Sequence, residues 1–230
     1  MNVPSKRRFA ALFAKTANPG YSAKAHKAHF PEHHQDIIMA GSAKILAGDD
    51  LCRLLAHACR GRYPIRNEVM ILLSFKAGLR ACEIAGLDWS MVIGSGRRIG
   101  ERLDLSRNIT KGRRRRSVPM HPQIKAAMQR LWNEAGRPSC GPVLPSERGG
   151  HMSPKSVVNW FADQYASAGL IGCSSHSGRR TFITQAARLL AQTGGSLRDV
   201  QELAGHSALS TTERYIEGDR AIQRKLVCLI

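Results

Sequence analysis

Apolar positions fall at helical spacing over most of this chain and at strand spacing in one stretch near its middle. Leu51, Leu54, Leu55 and Ala58 recur at i, i+3, i+4 and i+7 behind Asp49-Asp50, which reads as an N-cap pair, with Gly61 as the stop. A second helix is expected over residues 64–77. Its Val69, Ile71, Leu72, Leu73 and Phe75 leave almost no polar face, and such a helix belongs in a core. Gly78 closes it and places Leu79-Arg80 directly after a buried element.

The period then changes. Residues 91–93, 102–109 and 115–118 read as short strands, with Lys111-Gly112 turning between the last two. A helix over 122–135 ends at Gly136, and a Gly/Pro-rich surface connection covers 137–152. Ser153-Pro154 pairs an N-cap with an N1 proline and opens a helix that carries Val157, Val158, Phe161 and Tyr165 towards Gly169. Ser175 reads as the cap of a helix over 176–192. Ser196-x-x-Asp199 is a capping box for a shorter one, stopped by Gly205. Ile222, Leu226 and Val227 share one side of a last helix over 221–230. The expected fold is mainly α with a small antiparallel β-sheet, an α+β class without internal repeats.

Charge changes the picture more than composition does. Thirty-five Lys and Arg against 17 Asp and Glu give a net charge of +18. So large an imbalance is self-repelling unless a polyanion is bound, and nucleic acid is the natural candidate. Lys6, Arg7, Arg8, Lys15, Lys24, Lys27 and Lys44 set residues 1–47 apart as a basic arm. Paired arginines before a short apolar run there imitate an export signal, but Lys15 cuts the run short, and Phe9, Leu12 and Phe13 fit an amphipathic arm better. His26, His29, His33 and His34 lack the cysteines and regular spacing of a zinc site. The six cysteines form no C-x-x-C or disulfide framework, which predicts reduced, mostly buried thiols and a cytoplasmic setting. No membrane span is expected.

The candidate chemistry lies in six side chains. His176 and Arg179 stand three apart at an expected helix start, where free N–H groups and the helix dipole suit a phosphate. Arg179 can fork two phosphate oxygens, and His176 can move a proton near neutral pH. Arg80 has Glu83 at i+3, either as a surface pair or as a carboxylate orienting a phosphate-binding guanidinium. Lys111 precedes Arg113, Arg114, Arg115 and Arg116, a run that reads as a solvated edge for DNA phosphates, with Arg180 as a further contact. His206 follows a helix-ending glycine. Tyr215 supplies a phenol, which ordinarily titrates at about 10, so a tyrosine nucleophile needs cations beside it.

Arg80 within Ala77-Gly78-Leu79-Arg80-Ala81-Cys82-Glu83-Ile84, Lys111 in a turn, His176-x-x-Arg179, Gly205-His206 and Tyr215 after Thr211-Thr212 stand in one order. In that order the chain resembles the tyrosine recombinases, the phage-integrase family, over about residues 49–219. The resemblance implies that Tyr215 attacks a DNA phosphate, forms a 3′-phosphotyrosyl link and frees a 5′-hydroxyl. Arg80, Arg179 and His206 would hold the phosphate, His176 would assist proton transfer at the tyrosine, and Lys111 would protonate the leaving oxygen. No cofactor, metal or ATP is implied. The partners implied are double-stranded DNA and three further copies in a homo-tetramer, with room for an accessory DNA-bending protein. The expected organisation is a basic arm over 1–47 in place of a full core-binding domain, a catalytic domain over 48–219, and a terminal helix over 220–230 open to exchange between subunits. That reduced plan is similar to the fimbrial-switch invertases. A type IB topoisomerase and a non-catalytic DNA-binding regulator remain as alternatives, with a generic RNA-binding protein explaining the charge alone.

Overall fold

The computed structural model describes residues 43–215 together with Arg224, Val227 and Cys228. The basic arm up to residue 42, with its four histidines, and most of the terminal helix over 220–230 lie outside the described residues. The helices are α1 (Gly48–Ala58), α2 (Pro64–Lys76), α3 (Ala81–Ala85), α4 (Pro122–Glu134), α5 (Pro154–Ser167), α6 (Ser177–Thr193), α7 (Leu197–Ala204) and α8 (Leu209–Glu213). Four short strands lie between α3 and α4: β1 (Ile93–Gly94), β2 (Arg98–Ile99), β3 (Arg102–Leu105) and β4 (Arg116–Pro119). The class is the expected α+β.

α2 is the centre of the packing. Val69, Ile71 and Leu73 are fully buried, each worth about 2 kcal/mol of burial. Being apolar all round, α2 takes α1, α4 and α6 against different sides. Leu79 N–H returns to the Leu73 carbonyl at 3.0 Å and Gly78 adopts φ +60°, so the chain turns sharply into Arg80. α3 packs on α5, and α7 packs on α6, α8 and β4. Beside the main core, Ile183, Val200 and Ala204 form a satellite cluster between α6 and α7. Tyr215 and Phe182 pack against that cluster.

Several local expectations are corrected. α1 begins at Gly48 with Ala47 at the N-cap, and Asp50 sits one turn in, where its carboxylate accepts the Ala47 N–H at 3.2 Å. The helix stops at Ala58, before Gly61. The strands form two separate antiparallel pairs, β1–β2 and β3–β4. Met91 belongs to a 3-10 turn, Trp89–Met91, capped by the Asp88 carboxylate. Lys111-Gly112 lies inside a long connection from β3 to β4, held by the Thr110 hydroxyl donating to the Arg114 carbonyl at 2.6 Å. Ser153 does cap α5, accepting the Ser156 N–H at 3.0 Å. Ser175 caps nothing; His176 is the N-cap residue of α6, and the Ser177 hydroxyl accepts the Ser174 N–H at 3.0 Å. All six cysteines are free, yet none is buried, because they lie on outer helix faces and loops; Cys52, Cys59, Cys140 and Cys228 are exposed.

The start of α6 is pressed onto α2 at Gly178, where a Cβ would lie 2.3 Å from Ser74 Oγ and 2.8 Å from the Phe75 ring. Gly178→Ala should therefore destabilise the fold by about 1–3 kcal/mol despite alanine's better helix propensity. The urea midpoint should fall accordingly, while alanine at solvent-facing Gly150 should leave it near the parent value.

Candidate active site

The C-terminal end of α7 gathers the chemistry. The last carbonyls of a helix have no partner inside it, and the dipole makes that end negative. Three arginines from three distant elements take three consecutive carbonyls there. Arg116 donates to Leu203 O at 2.7 Å, Arg179 to Ala204 O at 2.6 Å, and Arg80 to Gly205 O at 3.4 Å. Gly205 permits this convergence because it adopts φ +62° and lacks a Cβ, which would lie 2.7 Å from Arg116 Cδ.

Glu83 binds two of these cations. Its fully buried carboxylate accepts from Arg80 Nη1 at 3.1 Å and from Arg116 Nη2 at 2.7 Å. It also accepts the Arg80 N–H at 2.8 Å. Arg80–Glu83 is thus no solvated surface pair; burial and Arg116 make it part of a network. Arg113, Arg114 and Arg115 are exposed, as a DNA-facing edge requires, but Arg116 is 8% exposed and points inward. The alternation of β4 puts Arg116 on the same buried face as Val118.

Arg179, 4% exposed, also donates to the Gly78 carbonyl, so it spans the ends of α2 and α7. Burial, followed by the neighbouring Arg80 and Arg116 charges, lowers its pKa to about 9, which leaves it charged at neutral pH. Its Nη2 lies 3.1 Å from His206 Nε2, and His206 Nδ1 lies 3.0 Å from the hydroxyl of buried Thr212. Burial, then Arg179, Arg80 and Arg116, push the His206 pKa down to about 4. The His206 ring stacks on Tyr215 with centroids 5.6 Å apart, and the Arg180 guanidinium sits 5.9 Å from the same phenol ring.

An open cavity of about 500 Å³ has His176, Arg179, Arg180 and Tyr215 in its wall, with Ala43 and Cys173. His206 is outside the wall but contacts it through Arg179 and Tyr215, and Arg80 meets the same α7 end at Gly205. Lys111 is exposed on the β3–β4 connection and is not part of the cavity wall. Two contributors have no role legible in the sequence: Thr212, named there only as part of the run before Tyr215, whose hydroxyl holds a histidine, and the three helix-end carbonyls. The first is one small polar residue in a polar run, and the second carries no side-chain signal. Among the described residues, no three His, Cys, Asp or Glu side chains are grouped to hold a metal, and no helix is long and apolar enough to cross a membrane.

With fold and site in view, the kinship is plain. Residues 44–221 match the Phage integrase family, and the chain belongs to it. A tyrosine recombinase XerC of Myxococcus xanthus is 30% identical over 162 residues, covering 66% of this chain and 50% of that protein. The chain spans about half the length of the curated relatives it matches. The crystal structure of XerA recombinase superposes with a TM-score of 0.61 at 20% identity, covering 82% of this chain and 66% of that one. XerH recombinase in a post-cleavage complex with its palindromic difH substrate gives 0.60 at 19% identity, covering 80% and 52%. These superpositions share the fold.

Two outcomes follow from the site. Arg116→Gln should cost about 3 kcal/mol in a denaturant titration, because it breaks a buried pair, and Arg116→Lys should recover little since an ammonium cannot fork between Glu83 and Leu203. Between pH 6.5 and about 4 the unfolded chain binds a proton at His206 that the folded chain refuses, so stability rises with pH across that window. Melting curves should show that slope shrinking in His206→Gln.

Proposed function

We propose that this chain carries the catalytic part of a site-specific DNA recombinase that cuts and rejoins strands through a phosphotyrosyl link at Tyr215, without metal or ATP. The observation that carries the reading is the charge around the α7 terminus. Arg80, Arg116 and Arg179 face a single carboxylate, Glu83, leaving two positive charges beside a phenol. A backbone phosphodiester supplies the missing negative charge, and its charge grows as the pentacovalent transition state forms. Arg80, Arg179 and His206 hold the nonbridging oxygens. His176 takes the phenol proton as the Tyr215 oxygen attacks phosphorus. The P–O5′ bond breaks, the 5′-oxygen receives a proton from Lys111, and the phosphate stays linked to tyrosine through the 3′ side. Attack by a 5′-hydroxyl from another strand reverses each step. Lys111 stands on an exposed loop, so its role requires that loop to settle against bound DNA.

Arg113, Arg114, Arg115 and Arg180 contact DNA phosphates in this reading, while Arg116 acts within the protein. The acting unit is a tetramer on two duplexes, with residues 220–230 docking on a neighbouring copy, residues 1–47 serving as a basic arm, and an accessory DNA-bending protein as an optional partner. Its place of work is DNA in the cytoplasm. The match to the Phage integrase family and to XerC relatives supports the recombinase class over a regulator that kept the fold.

The test uses nicked suicide duplexes whose sites the protein has selected from random-sequence DNA. After incubation in EDTA, denaturing electrophoresis should show a slow covalent protein–DNA band for the parent and none for Tyr215→Phe. Tight binding to a selected site with no band would favour the regulator. Supercoil relaxation without selected sites would favour a topoisomerase.

A further inference from the structure

We propose that Thr212 is a positioning residue that orients His206 and fixes which ring nitrogen carries its proton. Arg179 offers only donors, so a hydrogen bond from its Nη2 to His206 Nε2 requires that nitrogen to be bare. The single proton of the neutral ring then sits on Nδ1, 3.0 Å from the Thr212 hydroxyl, which accepts it. Thr212 is fully buried, so water does not compete for this bond. The same residue accepts the Tyr215 N–H on its main-chain carbonyl at 3.0 Å. One threonine thus fixes the imidazole with its side chain and the phenol-bearing turn with its backbone.

The arrangement has a functional sense that rests on the recombinase reading. A phosphate offers acceptors, and a bare Nε2 cannot bond to one. With Nδ1–H held by Thr212, the next proton to reach the ring adds at Nε2, beside Arg179. The groups facing the ring are Arg179 from α6, Arg80 from the turn before α3, Arg116 from β4 and Tyr215 beyond α8, with Glu83 behind the arginines. In the empty site the cations oppose that proton. A bound phosphate oxygen offsets them, and the ring becomes a donor aimed at the anion while Thr212 prevents it from turning.

Thr212→Val keeps the shape and removes the hydroxyl, and Thr212→Ser keeps the hydroxyl. In the free protein at pH 7, nitrogen-edited NMR should show an exchange-protected Nδ1–H resonance, assigned to His206 by its loss in His206→Gln. That resonance should persist in Thr212→Ser and vanish in Thr212→Val, with near-parent melting for Thr212→Ser and a lower but still cooperative transition for Thr212→Val, whose Nδ1–H loses its buried acceptor. On the nicked duplexes, Thr212→Val should cut about tenfold more slowly, less than the roughly 10²–10⁴ that a positioned proton donor contributes, because the ring is loosened and not removed. It should bind DNA near normally and show an altered pH profile of cleavage, with Thr212→Ser near the parent. A protected Nδ1–H surviving in Thr212→Val, or equal cleavage losses in both variants, would overturn the assignment. If the parent chain cut no selected site, the recombinase reading would fall, and the NMR result would still decide what Thr212 does to His206.

Discussion

Three guanidinium groups bound to three successive carbonyls at one helix end are the constraint on which this structure turns. Left alone, that end of α7 would expose unsatisfied acceptors, and the three cations would repel one another. Together they satisfy the acceptors and lessen the repulsion, with Glu83 taking part of the surplus. The arrangement dictates much of the surrounding sequence. The helix must stop at a residue that tolerates positive φ and has no Cβ against Arg116, hence Gly205. Arg179 reaches both Gly78 and Ala204 because α6 starts hard against α2. The strand pair is needed less for its size than because β4, packed on α7, delivers Arg116 to the helix end.

The site has two mechanical grades. Arg80, Arg116, Arg179 and His206 are bolted to backbone or buried partners, so the charge field exists before any ligand arrives. Lys111, His176 and the exposed arginines of the β3–β4 connection stand at the surface. Such a division pairs a rigid, pre-formed electrostatic seat with outer groups free to adjust to whatever meets the surface.

Helix existence was legible because it follows from spacing. The largely apolar α2 and the Ser153-Pro154 start of α5 needed nothing beyond local rules. Boundaries such as Gly48 and His176 were less so, because backbone groups and side chains one turn away compete for the same cap. The order of Arg80, His176, Arg179, His206 and Tyr215 identified the family through its motifs. Arg116 was misread as solvated because four like charges in a row suggest one surface. The two-residue alternation with Val118 held the contrary signal, since one of them had to face Val118's side. Thr212 was illegible for a deeper reason: its importance comes from the histidine it faces across a helix cap, and no pattern local to residues 209–213 expresses that.

The surplus charge at the α7 terminus has a consequence for how such a chain ages once its activity is no longer selected. The charge that Glu83 leaves uncompensated is a standing cost to the fold, which an anion bound there would offset. Neutral substitutions that relieve the repulsion would make an idle copy sturdier, as in other proteins where active-site strain and stability pull apart. Arg116 is sheltered from that drift by its burial and its short bonds to Glu83 and Leu203, whereas Arg80 is more exposed and holds Glu83 and Gly205 by longer side-chain bonds. Substitution should then begin at Arg80 and leave the architecture standing, so that a derelict descendant would keep its fold long after the surplus charge beside Tyr215 had gone.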